Sequence, residues 1–362
     1  MKLTLKIKLL PTNEQSDSLL NTIKEANKAC NAISDIAWES KSFQQFKLHR
    51  ASYHKIKESF DLSSQIIIRC ISKVADSYKN DRKTKREFKL LDSISYDSRI
   101  LTYKPGNIVS IWATGERLKI SFICHNPKYL PYIKGESDLV YKKGKFYLFQ
   151  AVDIPDGDIE DVEEFIGVDF GQTDIAVLSD GNNYNSEQLK NIRKKYSKVR
   201  ASVQSKGTKS SKRLLKRLSG KEHRFVSINN HTISKQIVQK AKAEHKGIAI
   251  ENLAGIRKTA KPKSKAQKTE LNRWSFYQLR QFLTYKALLN GVKLISVPPA
   301  YTSQMCNCCL HIGIRKGKNF KCENCGNIAD ADHNAALNIA AWGRLINQPE
   351  KPSMLYCKAH PS

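Results

Sequence analysis

The sequence predicts an α/β chain: a small β-barrel interrupted by a helical module, then a layered sheet of strands and helices carrying a metal-binding ribbon. Three observations predict it. Beyond about residue 90 the apolar period is two, with hairpin turns between short runs. From Phe165 onward, short apolar strands alternate with long helical stretches. Cys306-Asn-Cys-Cys309 and Cys322-Glu-Asn-Cys325 then supply two Cys-x-x-Cys pairs, directly ahead of Asp330-Ala-Asp332-His-Asn334-Ala-Ala.

Residues 2–10 alternate Lys with apolar side chains, which reads as a strand; a secretory signal would show an unbroken apolar core. Pro11-Thr12-Asn13-Glu14-Gln15 opens a helix, with Thr12 or Asn13 as its cap. The helical pattern runs to about Lys79 through Leu19, Leu20, Ile23, Ala26, Ile33 and Ala37, with one or two further helices from Tyr53 to Tyr78. Residues 83–89 are a basic connector. Strands are expected at 100–103, 108–112, 118–122, 138–141 and 146–152, with Thr114-Gly115-Glu116 and Lys143-Gly144 as turns. The first strand is expected to return to this sheet, which makes the helical module an insertion.

Residues 155–164 form an acidic linker in a basic chain and mark a boundary. Phe165-Ile-Gly-Val-Asp169 begins a buried strand that continues into Ile175–Leu178. A basic helical stretch is expected from Leu189 to Arg224 and a second helix from about Asn229 to His245. Gly247–Glu251 is the next strand, followed by a basic loop at 257–268, a helix around 274–289 and a strand at 292–297 ended by Pro298-Pro299. The ribbon occupies 304–327 and a last helix about 334–342; the tail after Asn347 has little pattern.

The 62 Lys and Arg against 34 Asp and Glu give a formal charge of +28, which points to a polyanionic partner, nucleic acid first. No apolar run approaches the length of a bilayer span. The nine cysteines are an odd number, and four have metal spacing, so a reducing compartment is expected rather than a disulfide scaffold. Gly167-x-x-x-Gly171 lacks the Lys-Ser/Thr of a phosphate loop, and no Ser/His/Asp or Cys/His motif is present.

Thiolates at i and i+3 fit a tight turn that aims both sulfurs inward at a tetrahedral Zn²⁺. Cys306 with Cys309, and Cys322 with Cys325, are the expected ligands; Cys308 competes with Cys309 for the first knuckle. Asp169 and Glu251 end apolar strands, and Asp332 precedes a helix. On one sheet, these three carboxylates could hold two Mg²⁺ ions about 4 Å apart for phosphodiester hydrolysis. Asp330 reads as a cap or an ion-pair partner, and His333 is set aside as a lone histidine. Residues 190–198, 206–217 and 258–268 are dense in Lys and Arg, which suits backbone phosphates rather than base reading.

The chain resembles the TnpB (OrfB-type) RNA-guided nucleases of insertion sequences, kin of type V CRISPR effectors. The resemblance rests on Pro11-Thr-x-x-Gln15, Gly167-Val-Asp169-x-Gly171, Ile250-Glu251-Asn-Leu253, Tyr301-Thr-Ser-Gln-x-Cys306, the second knuckle and Asp330-Ala-Asp332-His-Asn334-Ala-Ala-x-Asn338-Ile339, in that order. It spans nearly the whole chain and is most specific from Ile166 onward. The departure is Leu310, which stands where the family usually has Gly after the first knuckle.

The resemblance implies a RuvC-like nuclease of RNase H fold at 159–303 and 328–347, with Asp169, Glu251 and Asp332 as its metal-binding triad and a zinc ribbon inserted at 304–327. It implies a wedge-like barrel at 1–11 and 86–158, a helical recognition module at 12–85 and a tail at 348–362. The implied activity is guided cleavage of double-stranded DNA next to a short flanking motif, supporting transposon maintenance. The implied partners are a guide RNA and target DNA, the implied cofactors structural Zn²⁺ and two catalytic Mg²⁺, and the implied setting the bacterial cytoplasm without a membrane. A catalytically silent guided repressor and an RNase H-fold transposase are the alternatives.

Overall fold

A computed structural model describes residues 1–256, 260 and 264–348, without the side chains of Lys265 and Ala266. Much of the expected basic loop at 257–268, and the tail with Cys357, lie outside the described residues. The chain divides into two compact units, Met1–Pro155 and a second beginning at Asp156.

The first unit contains β1 (Lys2–Leu10), α1 (Asn13–Glu39), α2 (Gln45–Ser59), α3 (Ser64–Ser77), β2 (Ile94–Tyr96), β3 (Leu101–Lys104), β4 (Ile108–Ala113), β5 (Glu116–Cys124), β6 (Ile133–Lys142) and β7 (Lys145–Asp153). Alternation in β1 buries Leu5, Ile7 and Leu9. The strand pairs antiparallel with both β5 and β7, so Ile7 sits opposite Cys124 on one side and Leu148 on the other. The seven strands run β2-β6-β7-β1-β5-β4-β3, a nearly closed barrel-like sheet with the three helices inserted after its first strand. The Thr12 side chain accepts from the Gln15 backbone N–H, and the Gln15 side chain accepts from the Thr12 N–H, so this pair caps α1. Gln15 Nε2 also donates to Lys119 O at 3.0 Å, tying the helix start to β5.

The second unit contains β8 (Phe165–Asp169), β9 (Asp174–Leu178), β10 (Asn183–Asn185), α4 (Glu187–Ser205), α5 (Lys209–Leu218), α6 (Lys221–Ala243), β11 (Gly247–Glu251), α7 (Lys265–Arg273), α8 (Phe276–Leu289), β12 (Leu294–Val297), β13 (Ile314–Lys316), β14 (Asn319–Lys321), β15 (Ile328–Asp330) and α9 (Ala331–Asn347). Five of these strands run β10-β9-β8-β11-β12, with β8, β11 and β12 mutually parallel and β9 antiparallel to β8. This is the strand order of an RNase H-type α/β sheet. On one face, Ile166, Val168, Ile248 and Ile250 pack with Ile233, Ile237, Leu279 and Leu283 of α6 and α8. On the other, Phe165, Ala249 and Val297 meet Ile339 of α9.

Gly167 sets how closely α9 approaches β8. A Cβ there would lie 1.9 Å from Ala336 O, so only a bare backbone lets helix and strand meet. The helix answers with small residues, Ala335, Ala336 and Ala340, all buried.

Several elements differ from expectation. The basic stretch at 189–224 is broken twice, at Gly207 (φ +61°) and Gly220 (φ +76°), both left-handed, so α4 and α5 are separate and α6 starts at Lys221 rather than near Asn229. The last helix starts three residues earlier than expected, because Asp330 accepts from the Asp332 and His333 backbone N–H groups and caps it. Strands β2 and β10, each three residues long, are too short to show a period in sequence.

Candidate active site and metal centre

Asp169 and Glu251 lie at the C-terminal ends of two adjacent parallel strands. The last paired residues of β8 and β11 are Val168 and Ile250, and each acid follows its partner by one position. Parallel neighbours lie about 4.8 Å apart, so the two carboxylates are delivered side by side. Asp332 comes from the first turn of α9, the helix that Gly167 admits onto β8. All three line one cleft of about 490 Å³, together with Thr302, Arg315 and Lys318.

Glu251 and Asp332 are buried, at 8% and 7% exposure. Burial, then the Glu251 and Asp332 charges, push the Asp169 carboxyl up to about 8. Burial also raises Glu251, against a hydrogen bond from Thr302 and the charge of Arg315. It raises Asp332 too, opposed by Arg315. Three acids that repel one another in a partly dry cleft lack positive charge, which is the electrostatic condition a divalent cation relieves.

Two groups partly answer that deficit. Arg315 Nη2, from β13, donates to Asp332 Oδ1 at 2.7 Å. Thr302 Oγ1 donates to Glu251 Oε1 and lies 3.1 Å from Pro299 O. The loop bearing Thr302 is held in turn by α9: Asn338 Nδ2 donates to Thr302 O at 2.9 Å and to Met305 O at 2.7 Å, and Asn334 Nδ2 to Met305 O at 2.7 Å. Lys318 pairs with the buried Asp174, pinning the tip of the ribbon hairpin beside the cleft.

The ribbon brings Cys306, Cys309, Cys322 and Cys325 together, with all four sulfurs within 4.8 Å of one another. Cys309 and Cys322 are 3.5 Å apart, Cys306 and Cys325 3.7 Å. A tetrahedron with Zn–S bonds of about 2.3 Å has edges of about 3.8 Å, so the thiols fit structural zinc. Cys308 is exposed, 3.7 Å from Asn307 Oδ1, and stands outside the set. Among the described residues no other His, Cys, Asp or Glu group is as tight, so the three carboxylates share a cleft without closing to that spacing. Of the remaining cysteines, Cys30 and Cys70 are buried and Cys124 is half-buried. His333 turns its Nε2 to Ser179 O at 3.3 Å.

Sequence reasoning assigned no role to Thr302, Arg315, Lys318 or Asp174. Thr302 stood inside a quoted motif, and Arg315 and Lys318 lie between the two Cys-x-x-Cys pairs. Their partners are 51, 17 and 144 residues away along the chain.

Two family models match: a Cas12f1-like TNB domain over residues 276–339, and the OrfB_IS605 model, described as a probable transposase, over 151–257. A TnpB-like protein of Methanocaldococcus jannaschii is 32% identical over 179 residues, 48% of this chain and 63% of that one. The chain is similar to TnpB-like and Cas12f proteins. The CRISPR-associated endodeoxyribonuclease Cas12f1 of Sulfoacidibacillus thermotolerans is 32% identical over 220 residues, covering 55% of this chain and 50% of that one. The matched segments thus span half to just under two thirds of these relatives. A Cas12f1 solved in complex with sgRNA and target DNA superposes with a TM-score of 0.58 at 18% identity, covering 91% of this chain and 83% of that one, and so shares its fold. Among the described residues, no helix is long and apolar enough to cross a membrane.

Proposed function

We propose that the chain is an RNA-guided DNA endonuclease of the insertion-sequence type, cutting double-stranded DNA next to a short flanking motif. The observation that carries this reading is the meeting of Asp169, Glu251 and Asp332 in one cleft of an RNase H-type sheet. Relatives named as endonucleases support it.

In this reading the three carboxylates hold Mg²⁺, which when bound supplies Lewis acidity for phosphodiester hydrolysis. The chain's own residues prepare the site. Thr302 holds one oxygen of Glu251 in a single orientation, leaving the other free for a ligand. The capped first turn of α9 presents Asp332 at a helix N-terminus, where negative charge is favoured. Arg315 supplies positive charge at the edge of the cleft, and the exposed Lys and Arg of α4 and α5 add phosphate contacts. Residues 1–11 and 86–158 serve as a wedge-like barrel and 12–85 as a helical module, gripping guide RNA and target duplex. Residues 159–303 and 328–347 form the nuclease around the ribbon at 304–327, acting on DNA in the cytoplasm.

The test is cleavage of a plasmid carrying a guide-matched target in Mg²⁺, with guide RNA identified by sequencing the RNA that copurifies. Asp169→Ala is expected to abolish cutting and keep RNA binding. Equal cutting by that variant would remove the triad. Tight guided binding without cutting in Mg²⁺ or Mn²⁺ would indicate a repressor, and strand-transfer products without RNA a transposase.

A further inference from the structure

A second cavity, of about 340 Å³, opens beside the carboxylate cleft, and Trp274 lines both. Its walls come from four helices, α8 contributing Gln278. Arg193 and Arg200 lie seven residues apart on α4, two turns along one face. Glu222 and His223 stand in the first turn of α6, and Arg273 ends α7. Three arginines and one glutamate therefore line the cavity.

The cluster is not internally satisfied. Glu222 Oε2 accepts from Arg200 Nη2 at 2.5 Å, but its other oxygen is 3.9 Å from Arg193 Nε. Arg193 spends Nη2 on Arg273 O at 2.6 Å. Its Nε, in a side chain only 11% exposed, is buried without a hydrogen-bond partner. A second carboxylate, Glu270, acts on Arg193 electrostatically and lines an adjoining small recess that shares Arg193 and Trp274 with the cavity. A buried guanidinium donor left unpaired is costly unless an acceptor arrives.

The geometry points to a subsite for one unstacked nucleotide of single-stranded DNA, its phosphate held by Arg193, Arg200 and Arg273 and its base against Trp274. The volume is at the lower end of small-molecule sites and suits a single nucleotide rather than a duplex. Guanidinium forks match phosphate oxygens, and base stacking on an aromatic ring is tolerant of sequence. Because Trp274 is shared with the cleft, a strand whose backbone crosses the carboxylates has a neighbouring base within reach of this pocket. This rests on the nuclease reading, and it adds how the strand is held: a base is drawn out of stacking beside the scissile bond.

The experiment is a titration of pentathymidylate into the full chain carrying Asp169→Asn, in EDTA, followed by tryptophan fluorescence. Binding is measured without metal or cleavage, so failure here is separate from failure of the plasmid assay. Pentathymidylate should quench fluorescence saturably, and Trp274→Phe should remove most of that quench. Arg200→Gln and Arg273→Gln should each weaken binding about tenfold and lower its salt dependence by about 0.7 in log–log slope. Lys242→Gln, which removes an equal charge from an exposed position elsewhere, should change affinity less than about twofold. Thermal melts of each variant establish folding, and Arg200→Lys keeps the charge while losing the fork. Arginine variants binding as tightly as the parent, or a quench that survives Trp274→Phe, would overturn the subsite. Pentauridylate bound more tightly, with the same arginine dependence, would overturn the DNA assignment in favour of RNA.

Discussion

Arg315 Nη2 lies 2.7 Å from Asp332 Oδ1, so a guanidinium from the ribbon hairpin holds a carboxylate of the cleft. The contact links the four-thiol ribbon to the carboxylate cleft: the hairpin of the ribbon places a cation against the acids.

Replacing Arg315 by Gln leaves Asp332 without its counter-charge. The expected cost is about 1–2 kcal/mol in EDTA, since the pair is only partly buried. The same change should tighten Mn²⁺ binding several-fold, because a competing cation is gone. Calorimetric titration with Mn²⁺ checks this; unchanged or weaker affinity would mean that Arg315 and the ion do not compete.

Thr302→Val removes the donor to a buried Glu251 oxygen at nearly constant volume. Stability should fall by about 1–3 kcal/mol, and guided cleavage should drop at least about tenfold as the carboxylate loses its fixed orientation. Thr302→Ser restores the hydroxyl and should recover most of the rate. A serine variant as slow as the valine variant would exclude the hydrogen bond as the cause.

Chelating zinc, or Cys322→Ser, should unfold the ribbon and release Arg315 and Lys318 from the cleft together. Elemental analysis should find one zinc per chain, lost in Cys322→Ser and retained in Cys308→Ser. Loss of zinc from the Cys308 variant would place the exposed thiol in the site.

Asp169 titrates at about 8 in the folded, ion-free chain, against about 3.9 for an unperturbed Asp. Between those values the folded state holds a proton that the unfolded state has released. The stabilisation is complete at acid pH and is lost as pH rises through the folded value. In EDTA, the melting temperature of the wild-type chain should therefore fall relative to Asp169→Asn as pH rises from about 5 to about 8.5. Mn²⁺ should bind more tightly over the same range, since ligation needs the ionised acid. Parallel melting curves for the two chains would contradict the shift.

Gly167→Ala would place a methyl group 1.9 Å from Ala336 O, against helix backbone that cannot swing aside. The helix must move away, at an expected cost of about 3 kcal/mol. Asp332 moves with it, so cleavage should fall further than stability does. Full cleavage by a folded Gly167→Ala chain would mean the cleft tolerates a displaced Asp332.

Much of this architecture was legible because it is written in local spacing. The alternation of residues 2–10 predicted β1, and the order of elements after Phe165 predicted a layered sheet. Asp169 and Glu251 could be read as neighbours because both follow short apolar runs, and parallel strands deliver their ends to one edge. The break at Gly220 and the early start of α9 were missed for local reasons: a basic, helix-favouring run masked the glycine, and Asp330 was left open between cap and ion pair.

The sequence by itself determined the thiol spacing, the Thr12–Gln15 cap, the strand-end acids and the overwhelming positive charge, since each depends on residues within a turn or strand of one another. Only the tertiary structure decided that Arg315 meets Asp332, that Thr302 meets Glu251, that Lys318 meets Asp174, and that Arg193, Arg200 and Arg273 share a cavity. Periodicity reports which face of an element is buried. It does not report which side chains from distant elements meet there; close packing of helix on sheet makes that choice.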